Sequence, residues 1–281
     1  MKLMVALIGN GNVDRDDLVL ETAGIIRKSI PANWELEHRT ISWQPIGHQL
    51  AIGVRLARIS AVARSVYRWE LYRRITHRFS GTIGFPNALL ALTAYLFSQV
   101  FNWGKEGESG FRHIQLTRKH ILAWEGFLNS DFDYLVCLED DAFPLAECGA
   151  KLKTLFDRLH GDDDCLYTLL SRGVNQELLK FHDRESNHFA DTLFEPPVAH
   201  TNTTAGYLLS RGMAERFLVE MQNFPTSSLV NIDFLINYLF SRLKSSRGKP
   251  SLMCWHFSDP PINNASLSSD LGSTISYIKR S

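Results

Sequence analysis

Asp131–Pro144, DFDYLVCLEDDAFP, is the stretch from which the rest of the chain is read. An apolar run, Tyr134–Leu138, leads straight into Glu139, Asp140 and Asp141, and an aromatic residue and a proline then stop it. Five apolar residues bounded by polar ones predict a short buried strand, although a helical segment can show the same pattern. In open α/β sheets, ligands gather at the carboxyl ends of strands. Three adjacent carboxylates repel one another and lose hydration there, a cost that a bound cation offsets. Taken alone, the triplet reads at least as well as a solvated acidic turn. Its neighbours have to decide.

The chain has 281 residues, enough for one large α/β domain or two small ones. With 44% hydrophobic residues it can bury a sizeable core. Thirty basic and thirty acidic residues cancel, so bulk charge calls for no nucleic-acid partner. The four cysteines, Cys137, Cys148, Cys165 and Cys254, form no C-x-x-C pair and read as reduced core thiols of a cytosolic protein. MKLMVALIGNG is too short in its apolar part for a signal peptide and reads as a first strand. Ala88–Phe97 falls well short of the roughly 20 residues a membrane span needs and reads as a core helix.

Leu3–Ile8 predicts a buried strand that ends in a tight loop, Gly9-Asn10-Gly11. A dinucleotide fingerprint would need a third glycine where Asp14 stands, so that motif fails. The loop is either a plain turn or an entry point for a nucleotide. A helix is expected over Asp16–Ser29 and a second strand within Trp34–Trp43. Val54–Phe79 holds seven arginines against Glu70 alone, and Ile59, Val62, Val66 and Trp69 recur at helical spacing. Such a helix lies on an anionic membrane or meets a phosphate-bearing acceptor; alternatively it packs its stripe on the domain and leaves the arginines solvated. Ser80–Pro86 closes this segment.

Ser109–Leu128 predicts a helix capped by Ser109, leading into the opening strand. Cys148–Leu159 follows as a helix, 161–164 as an acidic turn, and Cys165–Leu170 as a strand. Gln176–Pro197 reads as a long loop at the site. Thr203–Leu218 combines a short apolar core, a turn and an amphipathic helix. Asn231–Leu243 is a helix with Asp233 near its start, and Ser251–Phe257 is the last expected strand, with a polar, extended tail beyond Pro260-Pro261.

The order helix, YLVCLEDDAF, TAGYLLSRGMAERFL, NIDFLI and PPINNASLSSD resembles the bacterial lipopolysaccharide glycosyltransferases of family 25. The likeness runs from about Gly110 to Asp270. His120 and Trp124 keep a spacing found in that family, with Lys119 where its serine stands. Leu138–Asp141 matches its Leu-Glu-Asp-Asp box. Thr204, Tyr207 and Ser210 match a Thr-x-x-Tyr-x-x-Ser segment, and Asp233 matches a later aspartate. Gly9–Asp14 departs from the family's asparagine-leucine-aspartate segment, and the arginine-rich stretch has no counterpart there.

What the resemblance implies is a single α/β domain over 1–281, a GT-A mixed sheet flanked by helices, with a basic helical insertion at about 50–105. It implies a metal-dependent enzyme that moves a sugar from a nucleotide-sugar donor, a UDP-hexose favoured, to a hydroxyl of a bacterial surface glycan or lipid-linked glycan. A departing diphosphate gains negative charge, which Mn2+ or Mg2+ would stabilise through oxygen ligands. Asp141 is the first expected ligand, with Asp140 beside it and His256 as a further one unless it is simply satisfied within its strand. Gly9, Asn10, His120, Glu139, Asp140, Thr204 and Tyr207 are assigned to the donor, though Tyr207 reads equally as core. Asp233 is the expected base toward the acceptor hydroxyl, and a helix cap is its other reading. The expected location is cytoplasmic, at the inner face of the membrane if the arginine segment of 55–78 binds lipid. The competing reading is a non-catalytic module of the same fold that scaffolds a glycan-assembly complex.

Overall fold

The computed structural model describes residues 1–9, 13–41, 52–76, 93, 103–160, 165–172, 187–188, 193–196, 199–201, 203–243 and 252–264. Ten strands and six α-helices are found among them. In chain order the first are β1 (Lys2–Ile8), α1 (Val13–Ser29), β2 (Glu35–Ile41), α2 (Ile52–Thr76) and α3 (Trp103–Leu128). Then come β3 (Tyr134–Glu139), β4 (Ala142–Pro144), α4 (Cys148–Phe156) and β5 (Leu166–Leu169). β6 (Asn187–His188), β7 (Leu193–Glu195), β8 (Gly206–Ser210), α5 (Arg211–Gln222), α6 (Ile232–Leu243), β9 (Met253–Phe257) and β10 (Ile262–Asn264) complete the order.

Eight strands form one sheet in the order β2-β1-β3-β8-β5-β9-β7-β6. β1 runs parallel to β2 and β3, and β5 parallel to β9, whereas β8 is antiparallel to both β3 and β5. The sheet is therefore mixed, with the carboxyl ends of β1, β3, β5 and β9 at one edge.

Alternation along the central strands explains the layers. Leu3, Val5 and Leu7 of β1, with Tyr134, Val136 and Leu138 of β3, face the apolar cluster built with α1 and α4. Met4, Ala6 and Ile8, with Leu135 and Cys137, face the other cluster, built with α2, α3, α5 and α6. Every residue of β3 is buried, as its apolar run predicts for a strand covered on both faces. All four cysteines are buried free thiols.

Several expected boundaries shift. α3 starts two turns before Ser109, which therefore lies inside the helix and caps nothing. No turn separates β8 from α5: Ser210 ends the strand and caps the helix, its side chain accepting from Met213 N at 3.4 Å. The stretch read as one long loop contains β6 and β7, which pair with each other and extend the sheet through β9. They are two and three residues long, too short for alternation to mark them. The tail beyond Pro260-Pro261 holds β10, paired with β4. The expectations for Ala88–Phe97 (apart from Thr93), Ser80–Pro86, 161–164 and most of Gln176–Asn187 lie outside the described residues. Among the described residues no helix is long and apolar enough to cross a membrane.

α2 packs on α6 and on the turn before it, and Val62 is buried in the core cluster. Two of its arginines contact the fold, one buried and one exposed. Arg58 is buried and donates from Nη2 to Asn231 Oδ1 at 2.8 Å, and the Arg64 guanidinium sits 4.8 Å from the centre of the Phe224 ring. Of the arginines whose burial is described, Arg58 is buried, Arg55 and Arg68 are partly buried and Arg64 is exposed.

One side chain gathers the end of α3 and the loop that leads from it to β3. Arg211, the first residue of α5, donates to the carbonyls of Phe127, Leu128, Ser130 and Phe132 and lies over the Phe127 ring. Phe127 and Leu128 close α3 and Ser130 and Phe132 follow it, so the guanidinium sits at the helix C-terminus, where a cation is favoured. Arg211→Ala is expected to lower unfolding free energy by about 2–3 kcal/mol, measured by urea denaturation, because it strips several carbonyls of a charged donor. A loss under about 0.5 kcal/mol would mean that water replaces the guanidinium there.

Candidate functional site

The acidic end of β3 is built from the helix face above it. Glu139 shares the Cys137 face of β3 by alternation, the face that α3 covers. α3 sets His120 and Trp124 one turn apart on its inner side, both fully buried. Trp124 Nε1 donates to the Tyr207 hydroxyl at 3.0 Å, and that hydroxyl lies 2.7 Å from His120 Nδ1. A tyrosine hydroxyl both accepts and donates; an ionised Glu139 can only accept, which leaves His120 Nδ1 to accept the Tyr207 proton. The remaining imidazole proton then sits on Nε2 and is given to Glu139 Oε1 at 3.1 Å. Burial pushes the His120 pKa down to about 3, with Lys119 adding to the shift, so the contact is a hydrogen bond from a neutral ring rather than an ion pair.

Glu139 is held from a second side. Thr204 Oγ1 donates to the same Oε1 at 2.5 Å, and Glu139 N donates to Ala205 O at 2.9 Å. Thr204 is itself fixed by the segment before it. Thr201 exchanges two hydrogen bonds with the Asn237 carboxamide of α6, at 2.8 and 2.9 Å, and accepts from Tyr167 at 2.9 Å. Burial pushes Glu139 up to about 7, partly opposed by the Thr204 bond, with the Asp140 charge adding to the rise.

Asp233 lies four residues before Asn237, on the same face of α6. Its carboxyl is pushed up to about 6, first by burial and then by the charge of Glu139. The later aspartate is therefore within electrostatic reach of Glu139. Asp140 and Asp141 follow Glu139 in the turn before β4, and both are buried.

A cation completes the cluster. Lys119 is 5% exposed and donates from Nζ to the carbonyl of Gly9, at the end of β1, at 2.5 Å. Burial lowers its pKa, while the charges of Asp140 and Glu139 act to raise it. The sequence reading registers Lys119 only as a departure from serine. Its signal was there: a lysine beside a buried histidine, on a helix that must cover three acids.

The remaining expected residues separate clearly. His120 and Tyr207 are fully buried and reach ligand only through Glu139, so they position the site rather than line it. Thr204 has the same role. Gly9 is brought to the box through Lys119, and Asn10 lies outside the described residues. His256 is not brought there. It pairs with Leu169 on β5, three strands from β3, and its Nε2 meets the carbonyl of His200 at 2.9 Å. At roughly 4.8 Å per strand that separation is about 14 Å, beyond the reach of a shared ligand. Among the described residues no three His, Cys, Asp or Glu side chains converge as a ready-made metal site.

Residues 117–236 match the model of glycosyltransferase family 25 (LPS biosynthesis protein). The match begins on α3 and ends on α6, so it holds Lys119, His120, Trp124, the acidic box, Thr204, Tyr207 and Asp233. No curated protein sequence matches the chain. Among solved structures, the chain is similar to a glycosyltransferase involved in the glycosylation of the major capsid of PBCV-1, at 10% identity and a TM-score of 0.38, over 95% of this chain and 94% of that one. A likeness of that size decides neither fold nor substrate. The family match covers the whole helix-to-helix frame around the acids, so over residues 117–236 the chain is similar to the glycosyltransferases of family 25.

Proposed function

We propose that the chain transfers a sugar from a nucleotide-diphosphate donor to a hydroxyl of a bacterial surface glycan. The observation behind this reading is the fixed acidic box at the carboxyl edge of the sheet, with Lys119 on one side and Asp233 on the other. Glu139, anchored by His120 and Thr204, sets the course of the turn that presents Asp140 and Asp141. Two carboxylates suit Mg2+ or Mn2+, which such sites hold through one or two acids and the substrate phosphates. Asp141 and Asp140 would hold that ion, whose chemistry is to offset charge on the departing diphosphate. Lys119 keeps its ammonium beside these acids and lowers their mutual repulsion. Asp233, with a pKa near 6, takes the proton of the acceptor hydroxyl near neutral pH.

The test is to offer the purified protein a panel of nucleotide sugars with and without manganese and to follow nucleotide release. Turnover that needs the metal, with a UDP-hexose the first donor to try, is the expected result. Absence of binding to every sugar nucleotide at millimolar concentration would sink the reading in favour of a non-catalytic module.

A membrane-bound acceptor has separate support from α2, which exposes Val54 and Leu56 beside Arg55. We infer that this end of the helix rests on anionic lipid at the inner face of the cell membrane. Flotation with anionic liposomes is expected to carry the protein, and added salt to release it. Flotation equal on neutral liposomes would remove the electrostatic part of that reading.

A further inference from the structure

The small layer that continues from the acidic box holds polar groups the reaction described above does not use. β4 begins one residue after Asp141 and pairs with β10, with Asn263 opposite Phe143. β10 in turn bridges to the end of β5: Ser171 pairs with Ile262, and Arg172 N donates to Ile262 O at 2.8 Å. Ser171 turns its hydroxyl onto the Gly206 backbone, and Ile262 approaches Gly206 so closely that a Cβ there would lie 3.1 Å from its Cδ1. Side chains alternate along such segments, so Arg172 and Asn263 fall on the opposite face. Phe143, directly across from Asn263, shares it.

On that face a donor and an acceptor are left over. Arg172 Nε and Asn263 Oδ1 are both buried, and neither has a hydrogen-bond partner among the described residues, so they do not bond each other either. A buried polar group left unsatisfied is costly to the fold. All three residues retain partial exposure, so the face borders solvent and a ligand engages the two buried atoms as the side chains turn outward. An anionic oxygen would satisfy the guanidinium, and a hydroxyl would satisfy the carboxamide oxygen. Phe143 offers a flat apolar surface between a few placed polar groups, the usual make-up of a small-molecule site.

We propose that Arg172, Asn263 and Phe143 form a sugar-phosphate subsite next to the acidic box. It rests on the transferase reading for its biological meaning and on its own geometry for binding. The ligand is a sugar ring carrying phosphate, supplied either by the glycosyl diphosphate of the donor or by a phosphorylated residue of the acceptor glycan.

The direct test titrates the full chain calorimetrically in EDTA, which takes any divalent ion away from the acids, using glucose 1-phosphate and inorganic phosphate as probes. Glucose 1-phosphate is expected to bind more tightly than phosphate. Arg172→Gln should weaken it about tenfold or more, the worth of a hydrogen bond to a charged group. Arg172→Lys should regain part of that loss, and Asn263→Ala should erase the preference for the sugar. Unchanged melting of each variant shows that the fold is intact. No binding by the unaltered protein, or equal binding by Arg172→Gln, overturns the subsite. Turnover then separates the two sources. A raised donor KM for nucleotide release without acceptor marks the donor, whereas unchanged release with a raised acceptor KM marks the acceptor. No change in either also overturns it. Loss of the transferase reading would show instead as metal-independent behaviour at Asp141, leaving the EDTA titration untouched.

Discussion

Asp141→Ala is expected to lower nucleotide release by about a thousandfold, a transition-state loss of about 4 kcal/mol, without lowering thermal stability. Both halves follow from its surroundings. Asp141 is buried beside Asp140 in the turn that leaves β3, one residue from Glu139. Like charges this close repel, so removing one relieves strain worth on the order of 1 kcal/mol or more. A residue kept against that repulsion has a use that stability does not explain. Asp141→Asn separates charge from size and should be nearly as inactive as alanine. Turnover within tenfold of the unaltered protein, or a clear drop in melting temperature, would recast Asp141 as a turn-former and move the metal role to Asp140.

Glu139→Gln carries the largest expected pH effect. The folded Glu139 pKa is raised to about 7 from 4.5, so the folded protein binds a proton here more strongly than the unfolded chain does. Stability from this group is therefore present at low pH and is lost as pH rises from about 4.5 to about 7. Asp233, raised to about 6 from 3.8, acts in the same direction over its own interval. His120 opposes them: it stays neutral in the fold down to about 3, so its contribution is lost as pH falls below 6.5. Glutamine keeps the size and the acceptor oxygen for His120 and Thr204 but cannot ionise. Measured by urea denaturation in EDTA, Glu139→Gln should gain stability over the unaltered protein at pH 8, on the order of 3 kcal/mol, and little at pH 4. An equal gain or loss at both pH values would mean that Glu139 titrates as an ordinary surface acid. Activity should fall, because the anchored charge that steers the Asp140–Asp141 turn is gone.

Much of the frame was legible in the sequence because its elements are driven by local pattern. Leu3–Ile8 and Tyr134–Leu138 are unbroken apolar runs, and strands buried on both faces need such runs. α2 and α3 announce themselves by helical spacing and α1 by acids at its start and bases at its end, and the acidic box stands out as three charges in a place where charge is costly. β6, β7 and β10 gave no signal, since two or three residues carry no period and their pairing comes from partners far along the chain. Ser109 failed as a cap because α3 begins upstream of it, at Trp103.

The opening stretch, Asp131–Pro144, shows where the division falls. The residues themselves determined a buried strand ending in acids at the carboxyl edge of a mixed sheet, and the family frame from His120 to Asp233. Only the tertiary structure decided which acid does what. Glu139 faces α3 and is locked by His120, Tyr207 and Thr204; Lys119 arrives from α3 to face the charges; His256 is carried three strands away. Spacing along a chain cannot rank three adjacent carboxylates. Their separate roles come from which face of a strand each one leaves, and from what has packed there.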